Sequence, residues 1–183
     1  MDLQNILDKW NIGCEIEAIL ERWREPHRKY HGISHLEDLL SQIERRRSEF
    51  SEEEFEMLSI AALFHDAIYD PTSSMNEEES AQLLLGFSDG RKEVMDICQM
   101  IMETKSHMGS SQISEKFCQM DMDIVNRNLD DLLAWEEGIR YEYSIFPKEE
   151  YKSGRIKFLE YIASNHQENR ENIDALIEAV RTY

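Results

Sequence analysis

Apolar residues recur at steps of three and four along most of the chain. Such steps return to one face of an α-helix, so the pattern predicts amphipathic helices, as at Ile12, Ile16, Leu20 and Trp23. No alternating stretch of useful length suggests a strand, and seven glycines and three prolines are few for this length. The sequence therefore predicts an all-α fold built as a helical bundle.

Three helix starts are marked by a capping side chain that lies three residues before a glutamate. The pairs are Ser34 with Glu37, Ser51 with Glu54, and Asn76 with Glu79, and the helices are predicted to run through Arg46, His65 and Phe87. Further apolar stripes predict four later helices. These stripes span residues 94–101, 125–133, 156–163 and 173–180, and the polar stretch GSSQISEK at 109–116 is predicted to be a loop.

Length and charge limit the classes of protein to consider. The chain has 183 residues, of which 41% are hydrophobic, so we expect one compact domain over residues 1–183. Acidic residues outnumber basic ones 38 to 20, which gives a formal net charge of −18. This charge repels nucleic-acid phosphates and anionic membrane surfaces, so general nucleic-acid binding is not expected.

Cysteine usage and the N-terminal segment indicate a cytoplasmic protein. Cys14, Cys98 and Cys118 are odd in number, widely spaced and free of any CxxC pair, so neither a disulfide framework nor a cysteine zinc site is expected. The opening segment MDLQNILDKW lacks a long apolar core, and nowhere do eighteen apolar residues run together. We expect neither a signal peptide nor a membrane span.

The stretch SIAALFHDAIYDP places polar chemistry at the end of an apolar helix. Phe55, Leu58, Ala62 and His65 share one helical face, so His65 is predicted to point inward. A lone inward histidine is commonly a satisfied core residue. Here Asp66 follows directly, and near a helix end both side chains can converge on one metal ion.

Two other segments offer further ligands. His31 and His35 lie in YHGISHLEDLL, and Asp121 and Asp123 lie in QMDMDIV before another predicted helix. Asp123 has an alternative role as the N-cap of that helix, which leaves Asp121 the freer candidate. Two imidazoles and two carboxylates suit a divalent first-row ion such as Mn, Fe, Co, Ni or Zn, with positions left for water.

The ordered motifs carry a family resemblance. EPHRKYHGISHL, ALFHDAIYDP, NEEESA, ETKSH and DMD, followed by RYEY, GRIKFLEYI and ENRENI, resemble a predicted-phosphohydrolase branch of the HD-domain superfamily. The resemblance covers nearly the whole chain and implies a single HD-type helical domain over residues 1–183. It also implies a divalent metal cofactor (Mn, Fe, Co, Ni, Zn or Mg) with His35, His65, Asp66 and Asp121 as ligands. Asp123 is the alternative to Asp121, and otherwise a supporting acceptor.

The activity that the resemblance implies is hydrolysis of a phosphate ester, on a small phosphorylated metabolite or nucleotide. A bound divalent ion would lower the pKa of its water and withdraw charge from a phosphoryl oxygen. Asp66 is expected to accept the proton of that water. His31 and His107 are each expected to take part in catalysis, with a surface or core histidine as the alternative.

Four other residues are expected to support the reaction. Arg28 and Lys105 are candidate phosphate contacts, because an acidic protein needs locally placed positive charge to hold a phosphate. Asp70 and Glu77 are candidate acceptors that orient the ligand imidazoles. Their alternatives are a turn-forming residue before Pro71 and a charge in the first turn of a helix.

Two other function classes compete with the phosphohydrolase. One is a non-catalytic, metal-containing helical protein that binds a ligand or partner. The enzyme is favoured over it because structural zinc sites prefer closed, cysteine-rich shells. The other is a two-metal redox enzyme, since some HD-fold proteins couple two irons to oxygen chemistry. It would need His31, His107 or further carboxylates as ligands of a second ion.

Overall fold

A computed structural model describes residues 2–183, and this range contains ten α-helices and no β-strand. The predicted all-α class is therefore confirmed. Within the same range no helix combines the length and the apolar character needed to cross a bilayer. The chain forms two compact units, Met1–Asp121 and Met122–Tyr183, each described in turn below. The single domain expected from chain length stays a prediction.

The first unit is built from seven α-helices. They are α1 (Leu3–Lys9), α2 (Ile16–Trp23), α3 (Ile33–Arg45), α4 (Glu52–Phe64), α5 (Asn76–Phe87), α6 (Lys92–Glu103) and α7 (Gln112–Asp121). A short 3-10 turn, Arg47–Glu49, joins α3 to α4.

Helix α4 is the centre of the first unit and packs against the other six helices. All residues from 58 to 64 are buried, so the helix is enclosed on every side rather than along one stripe. Each fully buried Leu, Ile or Phe side chain contributes roughly 1.5–3 kcal/mol. The packed core therefore fixes the position of α4 and of the residues that directly follow its end.

The start of α4 follows the predicted capping box. The Ser51 hydroxyl accepts the N–H of Glu54 at 3.2 Å, and the Glu54 carboxylate accepts the N–H of Ser51 at 2.8 Å. Glutamates fill the first turn, where the positive end of the helix dipole favours them. The helix ends at Phe64 with His65 as its C-cap, so His65 and Asp66 emerge from the end of the most buried helix.

The other two predicted caps are wrong, although their helices exist. Helix α3 begins two residues earlier than expected, with Gly32 as its N-cap, so that Ser34 lies inside the helix. Asn76 is the first residue of α5, after Met75 as N-cap. Its side chain accepts the N–H of Asp70 and donates to the Asp70 carbonyl, both at 3.0 Å. Asn76 therefore fastens the preceding loop instead of capping its helix.

The segment 109–116 is only partly a loop, because α7 begins at Gln112. The Ser111 hydroxyl accepts the N–H of Ser114 at 3.2 Å at the start of this helix, and Phe117 is fully buried on it. Ile113, Phe117 and Met120 recur at helical spacing in α7, a signal that the polar residues around 109–116 outweighed in the loop prediction. Asp121 is consequently the last residue of a helix, not a residue that precedes one.

The second unit has three α-helices and two short 3-10 turns. These elements are the turn Asp123–Asn126, α8 (Leu129–Glu142), α9 (Lys148–Asn165), the turn Gln167–Asn169, and α10 (Arg170–Thr182). The stripe over 125–133 is therefore broken: Asn128 caps α8 by accepting the N–H of Asp131 at 3.0 Å, and Leu133 is exposed. Helix α10 packs against both α8 and α9.

A buried polar cluster links α8 to α9. Glu136 is fully buried, and its carboxylate accepts the Tyr151 hydroxyl at 2.6 Å and the Arg155 guanidinium at 2.7 Å. The Arg155 guanidinium also lies over the Trp135 ring, 4.1 Å from its centroid. Arg155 of the segment GRIKFLEYI, and Tyr151 one helical turn before it, therefore connect α9 to α8 through Glu136.

Candidate metal centre

Three helices of the first unit bring distant side chains together. His35 lies in the first turn of α3, His65 follows the last residue of α4, and Asp121 ends α7. Each of these helices packs against the other two, so their ends can meet. The side chains of His35, His65 and Asp121 are at most 9% exposed.

The three side chains direct ligand atoms at one point. His35 Nε2 lies 3.0 Å and His65 Nε2 3.4 Å from Oδ1 of Asp121. One ligand atom of each residue lies within 4.8 Å of the other two. Because nitrogen and oxygen ligands sit about 2.0–2.2 Å from a first-row ion, atoms at this spacing are close enough to share one.

One ring nitrogen of His65 contacts the backbone of its own helix, and the other faces Asp66 and Asp121. Nδ1 lies 3.0 Å from the Ala62 carbonyl, which can only accept, so in the neutral ring Nδ1 carries the hydrogen. Nε2 then presents its lone pair 3.3 Å from the Asp66 carboxylate and 3.4 Å from that of Asp121, and it is buried without a well-formed hydrogen bond to either. An unsatisfied buried group costs about 1–3 kcal/mol, which a cation at this point would offset. The residues present therefore fit a metal ion.

The electrostatics of the cluster favour positive charge. Burial lowers the pKa of His65, but Asp66 and Asp121 outweigh burial and hold that pKa well above its usual value. Burial raises the pKa of Asp121, and His65 together with hydrogen bonds from His107 and His35 reverses this and holds it well below the usual range. A cation placed between these carboxylates is therefore stabilised, whether it is a proton on the imidazole or a metal ion.

Asp66 lies beside this set and joins it through His65. Its Oδ2 is 3.3 Å from His65 Nε2, and its side chain is 14% exposed. Burial raises the pKa of Asp66, but the neighbouring His65 outweighs burial and keeps the carboxyl ionised well below its ordinary pKa. Asp66 thus supplies a carboxylate at the edge of the cluster, and its role as a fourth ligand stays a prediction.

His107 approaches from the solvent side. It lies in the loop between α6 and α7, and its Nε2 is 3.2 Å from Oδ2 of Asp121. Its backbone φ of 50° lies in the left-handed region, which a non-glycine residue adopts at a cost. With a side chain 30% exposed, His107 is the imidazole of the cluster most open to solvent.

The loop that carries His107 is held by a buried glutamate and a glycine. The Glu103 carboxylate accepts the Ser110 N–H at 3.1 Å and also the Ser114 hydroxyl. A Cβ on Gly109 would lie 2.1 Å from the backbone nitrogen of Glu115, so no larger residue fits there. These contacts impose the loop geometry that the strained backbone of His107 requires.

His31 lies near the cluster but outside the three-atom set. Its ring stacks on Tyr69 at 4.3 Å between centroids and is 6.2 Å from the ring of His35. Its charge contributes to lowering the pKa of Asp66. The catalytic role expected for His31 stays a prediction.

Arg28, the expected phosphate contact, has its guanidinium bound by the protein itself. Its side chain is 1% exposed, and its guanidinium donates to the carbonyls of His31 at 3.2 Å, Asp66 at 2.5 Å and Ala67 at 3.2 Å. It also donates to the Glu25 carboxylate at 3.0 Å. The guanidinium is thus engaged by the protein itself and is not open to a phosphate.

Lys105 is also engaged by neighbouring groups. Its ammonium contacts both carboxylate oxygens of Glu78, at 2.7 and 2.9 Å, and the carbonyl of Ser74. Glu77 lies 3.6 Å from the same ammonium, which gives this glutamate an ion-pair partner in the first turn of α5. Glu77 is therefore better described as a charge in the first turn of a helix than as an acceptor that orients an imidazole.

The two remaining predicted supporting residues have local partners. Asp70 is exposed and accepts the N–H and the hydroxyl of Thr72 at 2.8 and 2.7 Å, which makes it the turn-forming residue of its alternative. Asp123 belongs to the second unit, where its carboxylate pairs with Arg127 at 3.3 Å. It is not an N-cap, because Met122 precedes its turn and Asn128 caps α8.

Trp23 is a supporting residue whose role the sequence did not indicate. Its indole N–H donates to the Leu63 carbonyl at 2.9 Å, and its ring centroid lies 5.3 Å from that of His65 and 6.4 Å from that of His35. Its place on an apolar stripe predicted burial alone. The signal that could have found this contact is the need of the last carbonyls of α4 for donors.

No protein-family model, curated protein or solved structure matches this chain. Three features of the site favour a metal ion: the geometry of His35, His65 and Asp121, the buried Nε2 of His65 without a well-formed hydrogen bond, and the charge of the surrounding carboxylates. These three observations are independent of any relative.

Proposed function

We propose that this protein is a metal-dependent phosphohydrolase of the HD-domain type, acting on a small phosphorylated metabolite or nucleotide. The observation that carries the proposal is the convergence of His35, His65 and Asp121 around the buried Nε2 of His65, which forms no well-aligned hydrogen bond. The order of these residues in the chain, with Asp66 directly after His65, is the order of the motifs that resemble this superfamily.

The donor set limits the choice of metal. Two imidazole nitrogens and a carboxylate suit Mn, Fe, Co, Ni or Zn, whereas Mg²⁺ is usually bound through oxygen atoms alone. His35, His65 and Asp121 would hold the ion, and Asp66 would complete the set. When bound, the ion would polarise a phosphoryl oxygen and lower the pKa of a water molecule.

The side chains of the site have separate tasks in this proposal. Asp66, kept ionised by His65 and partly open to solvent, accepts a proton from the attacking water. His107, on the solvent side of Asp121, contacts the phosphate or protonates the leaving oxygen. Since Arg28 and Lys105 are engaged elsewhere, neutralisation of the substrate's charge falls on the metal ion and His107.

A screen for phosphate release tests the proposal. Protein stripped with a chelator and reloaded separately with Mn²⁺, Co²⁺, Ni²⁺ or Zn²⁺ is offered phosphorylated metabolites and nucleotides, and inorganic phosphate is measured. We expect release from at least one class of ester that depends on metal and is lost in Asp66→Asn. The exposed Glu137→Gln variant is the control and should keep full activity.

Bound metal without phosphate release from any class of ester would contradict the proposal. The chain would then be a metal-containing protein that binds a ligand or partner without turnover.

The two faces of Asp121 favour a second candidate function, a two-metal redox enzyme. Oδ1 of Asp121 faces His35 and His65, while Oδ2 faces His107, an arrangement in which one carboxylate can bridge two ions. Elemental analysis separates the two: two irons per chain would support the redox enzyme, and one divalent ion per chain supports the phosphohydrolase.

A further inference from the structure

The end of α4 is held by donors from a distant part of the chain. A helix leaves its last carbonyls without partners, and here the turn that follows adds two more. Trp23 donates its indole N–H to the carbonyl of Leu63 at 2.9 Å. Arg28 donates to the carbonyls of Asp66 at 2.5 Å and Ala67 at 3.2 Å.

The guanidinium of Arg28 also reaches the second segment that leads to the site. The nitrogen that binds the Asp66 carbonyl, Nη1, donates to the carbonyl of His31 at 3.2 Å as well. The guanidinium carbon lies 5.7 Å from the centroid of the Trp23 ring and 5.5 Å from that of Tyr69. One planar group therefore spans the turn before α3 and the turn after α4.

Burial of a guanidinium group costs free energy that burial of an apolar side chain does not. Moving a charge out of water is unfavourable unless it is paired and hydrogen-bonded, and an apolar side chain would serve packing alone. Positive charge at this place is compensated by the negative end of α4 and by Glu25, 3.0 Å away. The specific property used here is the set of donors fixed in one plane, which lysine lacks.

We propose that Arg28 is a positioning residue of the metal centre, which sets the distance between the segment carrying His31 and His35 and the segment carrying His65 and Asp66. The inference rests on the metal site of the proposed function, though not on phosphate hydrolysis. Arg28 acts through backbone carbonyls and contacts no reacting atom. Its loss lets the two ligand segments shift independently, which weakens the metal site without removing a ligand.

The test compares cobalt binding by metal-free wild type, Arg28→Lys, Arg28→Met and the control Arg91→Met, followed by the visible absorption of Co²⁺. Arg91 belongs to the same unit and lies over an aromatic ring, with its guanidinium carbon 4.8 Å from the Trp10 centroid. We expect both Arg28 variants to bind cobalt about 10–100-fold more weakly, as for loss of groups that support metal ligands. Their cobalt spectrum should also change, while Arg91→Met matches wild type in both.

Unfolding of each metal-free variant is measured separately, so that a loss of stability is not read as a loss of affinity. If Arg28→Met does not fold, Arg28→Lys decides, because it keeps the charge and loses only the planar donors. Wild-type affinity and spectrum in a folded Arg28 variant would overturn the inference. Wild type that binds no cobalt overturns it together with the proposed function, whereas bound cobalt without phosphate release overturns the reaction alone.

Discussion

The two ring nitrogens of His65 have different surroundings: one contacts the backbone of α4 and the other faces the candidate metal site. Nδ1 is tied to the Ala62 carbonyl of its own helix, which orients the ring and directs Nε2 toward Asp121. In metal sites such a bond fixes the tautomer and raises the basicity of the ligand. In the proposed metal centre His65 is therefore a ligand whose orientation is set by its own helix.

Replacement of His65 by alanine should abolish metal binding. Because a ligand is lost outright, affinity should fall by more than the roughly 10–100-fold that loss of a supporting group costs. Titration calorimetry with Zn²⁺ measures the change, and His166→Ala, in the second unit, should leave it unaltered. Equal affinity of His65→Ala and wild type would place the metal elsewhere.

Glu56 shows a buried carboxylate with a structural task. It accepts the Lys9 ammonium at 2.6 Å and the indole N–H of Trp10 at 2.8 Å, which ties α1 to α4. Burial raises the pKa of Glu56, but these two donors outweigh burial and hold that pKa below its ordinary value of 4.5. A carboxyl group whose pKa is lower in the folded protein than in the unfolded one stabilises the fold at pH values above its unfolded pKa. This stabilisation is lost as the pH falls through the folded pKa.

Glu56→Gln should therefore destabilise the protein in a pH-dependent way. Above the unfolded pKa of 4.5 we expect a loss of about 1.5–3 kcal/mol, the range for hydrogen bonds to a charged group. The difference from wild type should shrink as the pH falls below 4.5. Urea unfolding across pH measures it, with the exposed Glu137→Gln as control. A loss that persists unchanged in acid would refute the linkage.

Several site residues could be predicted from the sequence because their signal is local. His65 continues the helical spacing of Phe55, Leu58 and Ala62, and Asp66 follows it directly, so their position at the buried end of α4 could be predicted. Arg28 was not, because its carbonyl partners on Asp66 and Ala67 lie 38 and 39 residues away. A list of charged residues does not tell which are already paired, as Lys105 with Glu78 also shows.

At the scale of elements, helix existence was easier to predict than helix ends. The capping box at Ser51 was correct because both of its bonds are local to one turn. The cap at Asn76 was wrong because its side chain found partners in the backbone of Asp70 instead. The helix over 112–121 was missed because the polar stretch at 109–116 predicted a loop, although Ile113, Phe117 and Met120 recur at helical spacing.

The loop between α6 and α7 connects local packing to the site. A Cβ at Gly109 would lie 2.1 Å from the Glu115 nitrogen and 2.5 Å from its Cα. Since both are backbone atoms, the loop must move to admit even a methyl group. His107, two residues earlier, would then move relative to Asp121.

Gly109→Ala should therefore destabilise the fold, by about 1–3 kcal/mol as for overpacking of a well-packed site. Gly154→Ala is the matched control: it lies within α9, a Cβ there meets nothing within 4 Å, and it should stabilise by roughly 0.5–1 kcal/mol. Thermal unfolding of both variants measures the changes. A Gly109→Ala variant as stable as wild type would show that the loop is not constrained as described.

At the scale of the molecule, charge is the dominant property. A net charge of −18 on 183 residues opposes the compact state by self-repulsion. The two units nevertheless each bury an apolar core, centred on α4 in the first and formed by α8, α9 and α10 in the second. Salt should therefore relieve repulsion more than it weakens exposed ion pairs.

Added NaCl should raise the unfolding temperature of the metal-free protein. At about 0.5 M salt the Debye length falls to roughly 4 Å, so long-range repulsion is screened. Each kcal/mol gained corresponds to about 2–4 °C for a chain of this size. Scanning calorimetry measures the effect, which should fade near the isoelectric point of about 4.7. A flat or falling temperature at neutral pH would show that repulsion is unimportant.

In the proposed site one divalent ion is shared by three residues from distant parts of the chain. Anomalous diffraction from a crystal grown with Zn²⁺ would locate this ion. We predict one strong peak about 2.0–2.2 Å from Nε2 of His35, Nε2 of His65 and a carboxylate oxygen of Asp121. A fully metal-loaded crystal whose only peaks lie elsewhere, with these side chains turned apart, would contradict the account.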